Sequence, residues 1–465
     1  MRSLVWIVLL GMLVPTCLSA APEPNGSARV WHVRNDAPNG GDGSLNSPFN
    51  LLLIAEAASA PGDTIFVHAG DGTATNQNTG IVLQDGQSLI GEGVPLVIGD
   101  VTVVPAGNVP VMTSLIGPGI TLANGNSVRG VSIVETKEAG IAGNGPVSGL
   151  TLDRVTIRDP GAEAVLLPDA SGAVTITASH FEGAPAALVE IGTASNLLLE
   201  VSESRFMRTA PPLGGDGLRL AAEGSGSIRL VARRNVFEGL YGEGIDVGDR
   251  GQEGDAFTLE AQIVENRFAS PHDEGTNGIS IKAGERGTFS VAITANELTG
   301  VSGLGAIALA ADDFAVLRGR VASNVITGTP GSGIDIAADE SAGVDLRLED
   351  NTIRETGRHG IAATGFEGKA RLDLVIRNNQ LDTTGRDGVM LALYGGTMLA
   401  TLSGNESAAP VGVGFLLANF SPGVFMLRGD PSRTAQENVQ QMNTGSAGTA
   451  GTIAVVALRR RAAGT

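Results

Sequence analysis

Tyr241, Glu243 and Asp246 lie within six residues, and His272 and Asp273 follow in a segment longer than its counterparts elsewhere in the chain. Arg219 precedes Asp246 by the length of one repeat. Together these types suit proton abstraction beside a sugar carboxylate. Such chemistry needs a positive charge on the carboxylate, a base on one face, and an acid on the other. Arg219 would neutralise, His272 or Tyr241 would move the proton, and Asp273 would orient the imidazole. The same residues also fit a solvated loop in which Arg219 and Asp246 form an ordinary ion pair.

A second pair of segments, Gly357-Arg358-His359-Gly360 and Gly385-Arg386-Asp387-Gly388, is offset by 28 residues. If that offset is one repeat, His359 lies beside Asp387 and Arg358 beside Arg386. The His359 element resembles in part the Gly-His-Gly of polygalacturonase-type hydrolases. Ser332 and Gly305, however, stand where that family places its aspartates, so the carboxylate pair of a glycoside hydrolase is missing. A hydrogen-bonded His-Asp contact at a turn is the plainer expectation. Turn carboxylates at Asp249, Glu253, Glu285, Asp312, Asp313, Asp339, Glu340 and Glu367 form an acidic series that could take calcium through oxygen ligands. No calcium-loop consensus accompanies them, so no cofactor is expected beyond that calcium.

The elements that must carry these residues are set by a repeat. Asn or Ser, a variable residue, and a large apolar residue recur as Ser179-His180-Phe181, Ser204-Arg205-Phe206, Asn235-Val236-Phe237 and Asn266-Arg267-Phe268. The series continues to Asn379-Gln380-Leu381, with steps of 31, 30, 28, 27 and 28 residues from Asn235. A second column reads Gly, apolar, variable, apolar, as in Gly217-Leu218-Arg219-Leu220 and Gly244-Ile245-Asp246-Val247. Alternation with period two is a strand signal, and the glycines would interrupt a helical repeat. The pattern predicts a single-chain parallel β-helix whose like residues stack inside. The right hand follows from the bias of parallel crossovers. Against this period, Asn266 to Gly278 takes 12 residues where its asparagine-column neighbours take 9 or 10, which implies a protruding loop around His272.

The entry region carries a resemblance. Asp42-Gly43-Ser44, Pro48-Phe49, Pro61-Gly62-Asp63-Thr64-Ile65-Phe66-Val67 and Asp85-Gly86-Gln87-Ser88-Leu89-Ile90-Gly91 resemble the start of right-handed parallel β-helix proteins of the pectin-lyase-like superfamily. That resemblance implies an all-β fold and leaves the chemistry open, because the superfamily spans lyases, hydrolases, epimerases and adhesins. Ser270-Pro271-His272-Asp273 likewise resembles the Asp-Pro-His-Asp motif of β-helical mannuronan C5-epimerases, with Ser270 in place of its first aspartate. The expected organisation is a signal peptide over 1–20, an N-terminal cap and first coils over 21–100, and β-helix repeats over 101–420. A C-terminal cap or tail covers 421–465. An apolar, helix-like run at 48–59 is expected to cover the first coil, and a short helix is expected at 434–442.

Composition bounds the setting. Met1 and Arg2, the apolar run Leu4 to Val14 and the small residues Ser19, Ala20 and Ala21 have the layout of a secretory signal. An exported protein at the cell surface, in the periplasm or outside the cell is expected, with no membrane span and no pairing partner for Cys17. Only three lysines (Lys137, Lys282, Lys369) occur in a chain of net charge -18, which argues against nucleic acid. The expected role is polysaccharide or cell-surface glycan binding, or a structural role, by a monomer. A polysaccharide lyase or uronate C5-epimerase is the alternative, so whether the protein is an enzyme stays open.

Overall fold

A computed structural model describes residues 28–208, 215–249, 255–270, 276–366, 368–420 and 423–457. His272 and Asp273 lie outside the described residues, as do Glu253 and Glu367. The strands stack coil upon coil into three parallel sheets, as the period requires. A long sheet of 16 strands runs from Val30–Val33 to Ile453–Ala457, and a short sheet of 12 from Val111–Met112 to Glu406–Ala408. A wall sheet of 14 runs from Ile81–Val82 to Ala447–Ala450 and contains the glycine-column strands.

In-register pairing turns each sequence column into a physical stack. Phe206 pairs with Phe237 and Phe237 with Phe268. Their rings stack at 4.6 and 4.7 Å, with planes 13° and 5° apart. The same face-on packing explains the glycine column. A Cβ at Gly217 would lie 2.6 Å from the Phe237 ring, and one at Gly244 would lie 2.5 Å from both the Phe268 ring and the Gly278 carbonyl. The aromatic stack of one sheet leaves only backbone room in the next.

The asparagines form a continuous buried ladder. Each backbone N–H from Asn235 to Asn379 donates to the side-chain oxygen of the next asparagine at 2.9–3.0 Å. Each side-chain amide reaches the same oxygen and a strand carbonyl as well, as Asn324 does with Asn351 and Ile293. Left-handed residues such as Arg234 (φ 53°) and Glu265 (φ 57°) set up the turn just before each asparagine. The columns fade in sequence after Asn405, yet the pairing continues. Asn405 donates to Asn443, 38 residues on, because helix α2 (Ala435–Met442) is inserted in that coil. Thr434 caps α2, the short helix expected at 434–442, through a reciprocal capping box with Glu437.

At the other end, helix α1 (Leu52–Ala58) falls within the 48–59 run and buries Leu52 and Ala55 in the main core. A feature without a sequence signal adjoins it. Strands Leu96–Ile98 and Val101–Val104 form an antiparallel hairpin, and Leu96 and Val104 pack with Phe66 in a second, smaller core. Phe66 lies edge-on to His32 and His68, at 5.6 and 4.9 Å. His32 Nδ1 sits 3.1 Å from His68 Nε2, and His68 Nδ1 sits 3.5 Å from the Glu92 carboxylate.

This histidine pair makes the N-terminal end acid-sensitive. Burial, then the neighbouring His68, lowers His32 from 6.5 to about 4; burial also lowers His68, against the opposing pull of Glu92. The folded state therefore keeps both imidazoles neutral where the unfolded chain takes up protons. Stability is full above the ordinary histidine range and is lost as pH falls from 6.5 towards about 4. Hydrogen exchange at 30–33 and 64–68 should accelerate over that window, and His32→Phe should blunt the effect. A flat profile in the wild type would show that the pair does not titrate there.

Candidate functional site

The wall sheet brings Arg219 and Asp246 together as the period implies. Glu190, Arg219, Asp246 and Ser280 are successive register partners on its outer face. The Arg219 guanidinium reaches three carboxylates: Asp216 at 3.6 Å, Asp246 at 3.9 Å and Glu190 at 4.0 Å. Its Nε is buried and makes no hydrogen bond, so the contact is one of charge without direct donation. Tyr241 is half-buried at the turn that leads into Glu243.

Beside this outward column runs a second polar column, formed by the residue just before each column glycine. Asp216 accepts a hydrogen bond from the Glu243 backbone N–H at 2.8 Å, and Glu243 accepts one from the Asn277 side-chain amide at 3.3 Å. Asp216 is 6% exposed. Burial first, then hydrogen bonding and repulsion from the Glu243 carboxylate, pushes Asp216 up to about 7. Asp216 thus keeps its proton up to near neutral pH, and even so the cluster around Arg219 stays net negative. Farther along the outward column, burial also raises Asp335 against the pull of Ser332 and Arg358. Sequence reasoning reached Glu243 and missed Asp216. The signal was present, since Asp216, Glu243 and Asn277 each stand before a glycine of the second column.

The proton on Asp216 gives a stability test. Its folded-state pKa lies above the ordinary 3.8, so Asp216 favours folding at low pH and loses that contribution as pH rises through about 7. Asp216→Asn mimics the protonated form. Its melting temperature should exceed that of the wild type at about pH 8 and by much less at about pH 4. An equal change at both values would show that Asp216 holds no proton.

Other expected residues fall into structural roles. Ser270, in the position of the epimerase motif's first aspartate, is buried and donates from Oγ to the Leu240 carbonyl at 2.8 Å. His359 and Asp387 meet across one coil at 3.3 Å, and Arg386 N–H donates to the Arg358 carbonyl. Asp387 is held in turn by the Val413 N–H at 2.9 Å, and burial keeps His359 below its usual pKa despite the carboxylate. This is the hydrogen-bonded turn contact that the 28-residue offset implied. On the acidic edge, Asp312 is engaged by Lys282 at 2.8 Å, and the Asp313 carboxylate raises Glu340. Among the described residues, no three His, Asp, Glu or Cys side chains converge as a metal site would require. No helix among them is long and apolar enough to cross a membrane.

No protein-family model and no curated protein matches the chain. Among solved structures, a selenomethionine derivative of the GH136 lacto-N-biosidase from Eubacterium ramulus aligns over 92% of this chain and 68% of its own, at 10% identity and a TM-score of 0.26. The native form of that protein aligns over the same shares at 9% identity and 0.23. Overlap this low assigns no activity. The β-solenoid stands on its own strand register.

Proposed function

We propose that the protein is an exported, right-handed β-helix protein that binds an uncharged polysaccharide along the wall sheet around Arg219. The observation that carries this reading is the enclosure of Arg219 by Glu190, Asp216 and Asp246. A guanidinium already facing three carboxylates has no charge to spare for a uronate, and the net negative wall would repel one. Carboxylate oxygens in a row are hydrogen-bond acceptors for sugar hydroxyls, and the coil spacing repeats them along a chain-like ligand. A panel of neutral and uronate glycans tests the reading. Neutral glycans should bind, and the double variant Glu190→Ala/Asp246→Ala should weaken them by about tenfold. Retention of uronates alone would overturn it.

One observation favours a second reading, a uronate lyase or C5-epimerase. Asp216, with its proton near neutral pH, adjoins the coil that supplies Tyr241 and Asp246, and these would share a groove with His272 and Asp273. Incubation with alginate and pectate, following unsaturated-uronate absorbance and the epimer ratio, decides between the two. Activity that vanishes in Asp216→Asn and His272→Ala would establish the enzyme. Activity unchanged in His272→Ala would remove that histidine from it.

A further inference from the structure

Three exposed aromatic rings stand in one file at the turn between the wall sheet and the long sheet. Phe366, Tyr394 and Phe420 are 42%, 46% and 58% exposed. They stack on one another at 6.4 and 5.1 Å with planes 11° and 24° apart. Their backbone N–H groups bond to successive coils, so the file is fixed by the β-helix itself. Leaving three large rings in water is costly for a soluble surface, and stacking covers only part of them.

One arginine, Arg371, adjoins this file on the outer face of the long sheet, and a second, Arg377, lies at the far end of the same strand. Arg371 and Val424 are outward residues that follow the turn, Arg371 five residues after Phe366 and Val424 four after Phe420. A groove of about 700 Å³ follows, where Arg371, Arg377 and Arg428 surround Val375, Leu399 and Met426. Arg428 is clamped by Asp373 at 2.8 and 2.9 Å. Arg371 and Arg377 are exposed and pair with no carboxylate among the described residues, in a chain that carries 49 acidic and only 31 basic side chains. The acidic turn residues Asp339 and Glu340 lie one coil before Phe366, so the ladder begins where they end.

We propose that this corner of the last coils is a docking surface for an anionic lipid membrane. Aromatic rings beside guanidinium groups suit the boundary between acyl chains and phosphate headgroups, because the rings prefer the interface and the cations are drawn to its charge. A glycan is disfavoured as the occupant by ring geometry. Sugars pack against open ring faces, whereas both faces of the central Tyr394 are turned towards its neighbours. The surface is distinct from the Arg219 wall and does not depend on its reading.

Co-sedimentation of the purified protein with vesicles tests this, using equal parts phosphatidylglycerol and phosphatidylcholine against phosphatidylcholine alone. The protein should pellet with the anionic vesicles, release with added salt, and remain in solution with the neutral ones. Phe366→Ser/Tyr394→Ser/Phe420→Ser and, separately, Arg371→Ser/Arg377→Ser should each weaken binding by about tenfold. All five positions are exposed, and an unchanged melting temperature would confirm that the variants fold. Wild-type protein that stays in solution with anionic vesicles overturns the proposal. So does vesicle binding that both variants retain, or a loss in both variants of binding to soluble polygalacturonate rather than to vesicles.

Discussion

Phe237→Ala is expected to lower stability by about 3–5 kcal/mol, read from denaturant unfolding. The ring is 2% exposed and lies between Phe206 and Phe268 at 4.6 and 4.7 Å. Its removal leaves a cavity that the neighbouring coils cannot close, because their spacing is fixed by backbone hydrogen bonds on both sides. Gly217 opposite offers no side chain to fill it. Phe237→Leu retains most of the volume and should cost less than about 1.5 kcal/mol. A loss for Phe237→Ala below about 1 kcal/mol would mean that the stack does not support the core. In a solenoid the damage is carried to nearest neighbours, so exchange protection should fall first at residues 205–207 and 267–269.

Asn324→Ala should cost about 2–4 kcal/mol, although it removes a polar side chain from a core position. Asn324 is fully buried, and its oxygen accepts from both the backbone N–H and the side-chain amide of Asn296 at 3.0 Å. Its own amide donates to the Ile293 carbonyl at 2.9 Å and to Asn351 at 3.0 Å. Alanine leaves the Asn296 N–H without a partner and takes one donor from the Ile293 carbonyl, in a place water does not reach. Asn324→Ser should be milder, at about 1 kcal/mol, because a hydroxyl can receive the N–H of the preceding coil. The protein already does this at Ser204, whose Oγ accepts from the Ser179 N–H at 3.1 Å. If serine proved as damaging as alanine, shape rather than hydrogen bonding would govern the ladder.

The asparagine, aromatic and glycine columns were legible because a coil of nearly constant length makes spatial neighbours of residues one period apart. The same arithmetic places Arg219 beside Asp246 and His359 beside Asp387, as the strand register does. The short helix at 434–442 and the apolar run at 48–59 were readable for a different reason, since helix signals are local. Tertiary structure decided what period and local pattern cannot express. The continuation of the asparagine ladder from Asn405 to Asn443 skips 38 residues, because a helix intervenes. The hairpin over Phe66 and the histidine pair beneath it join segments that belong to no column. Above all, the proton on Asp216, the enclosure of Arg219 and the exposure of Phe366, Tyr394 and Phe420 depend on burial and on side chains meeting across coils. Residue types set which charges exist; only the packed wall sets how much water and how many opposing charges each one meets.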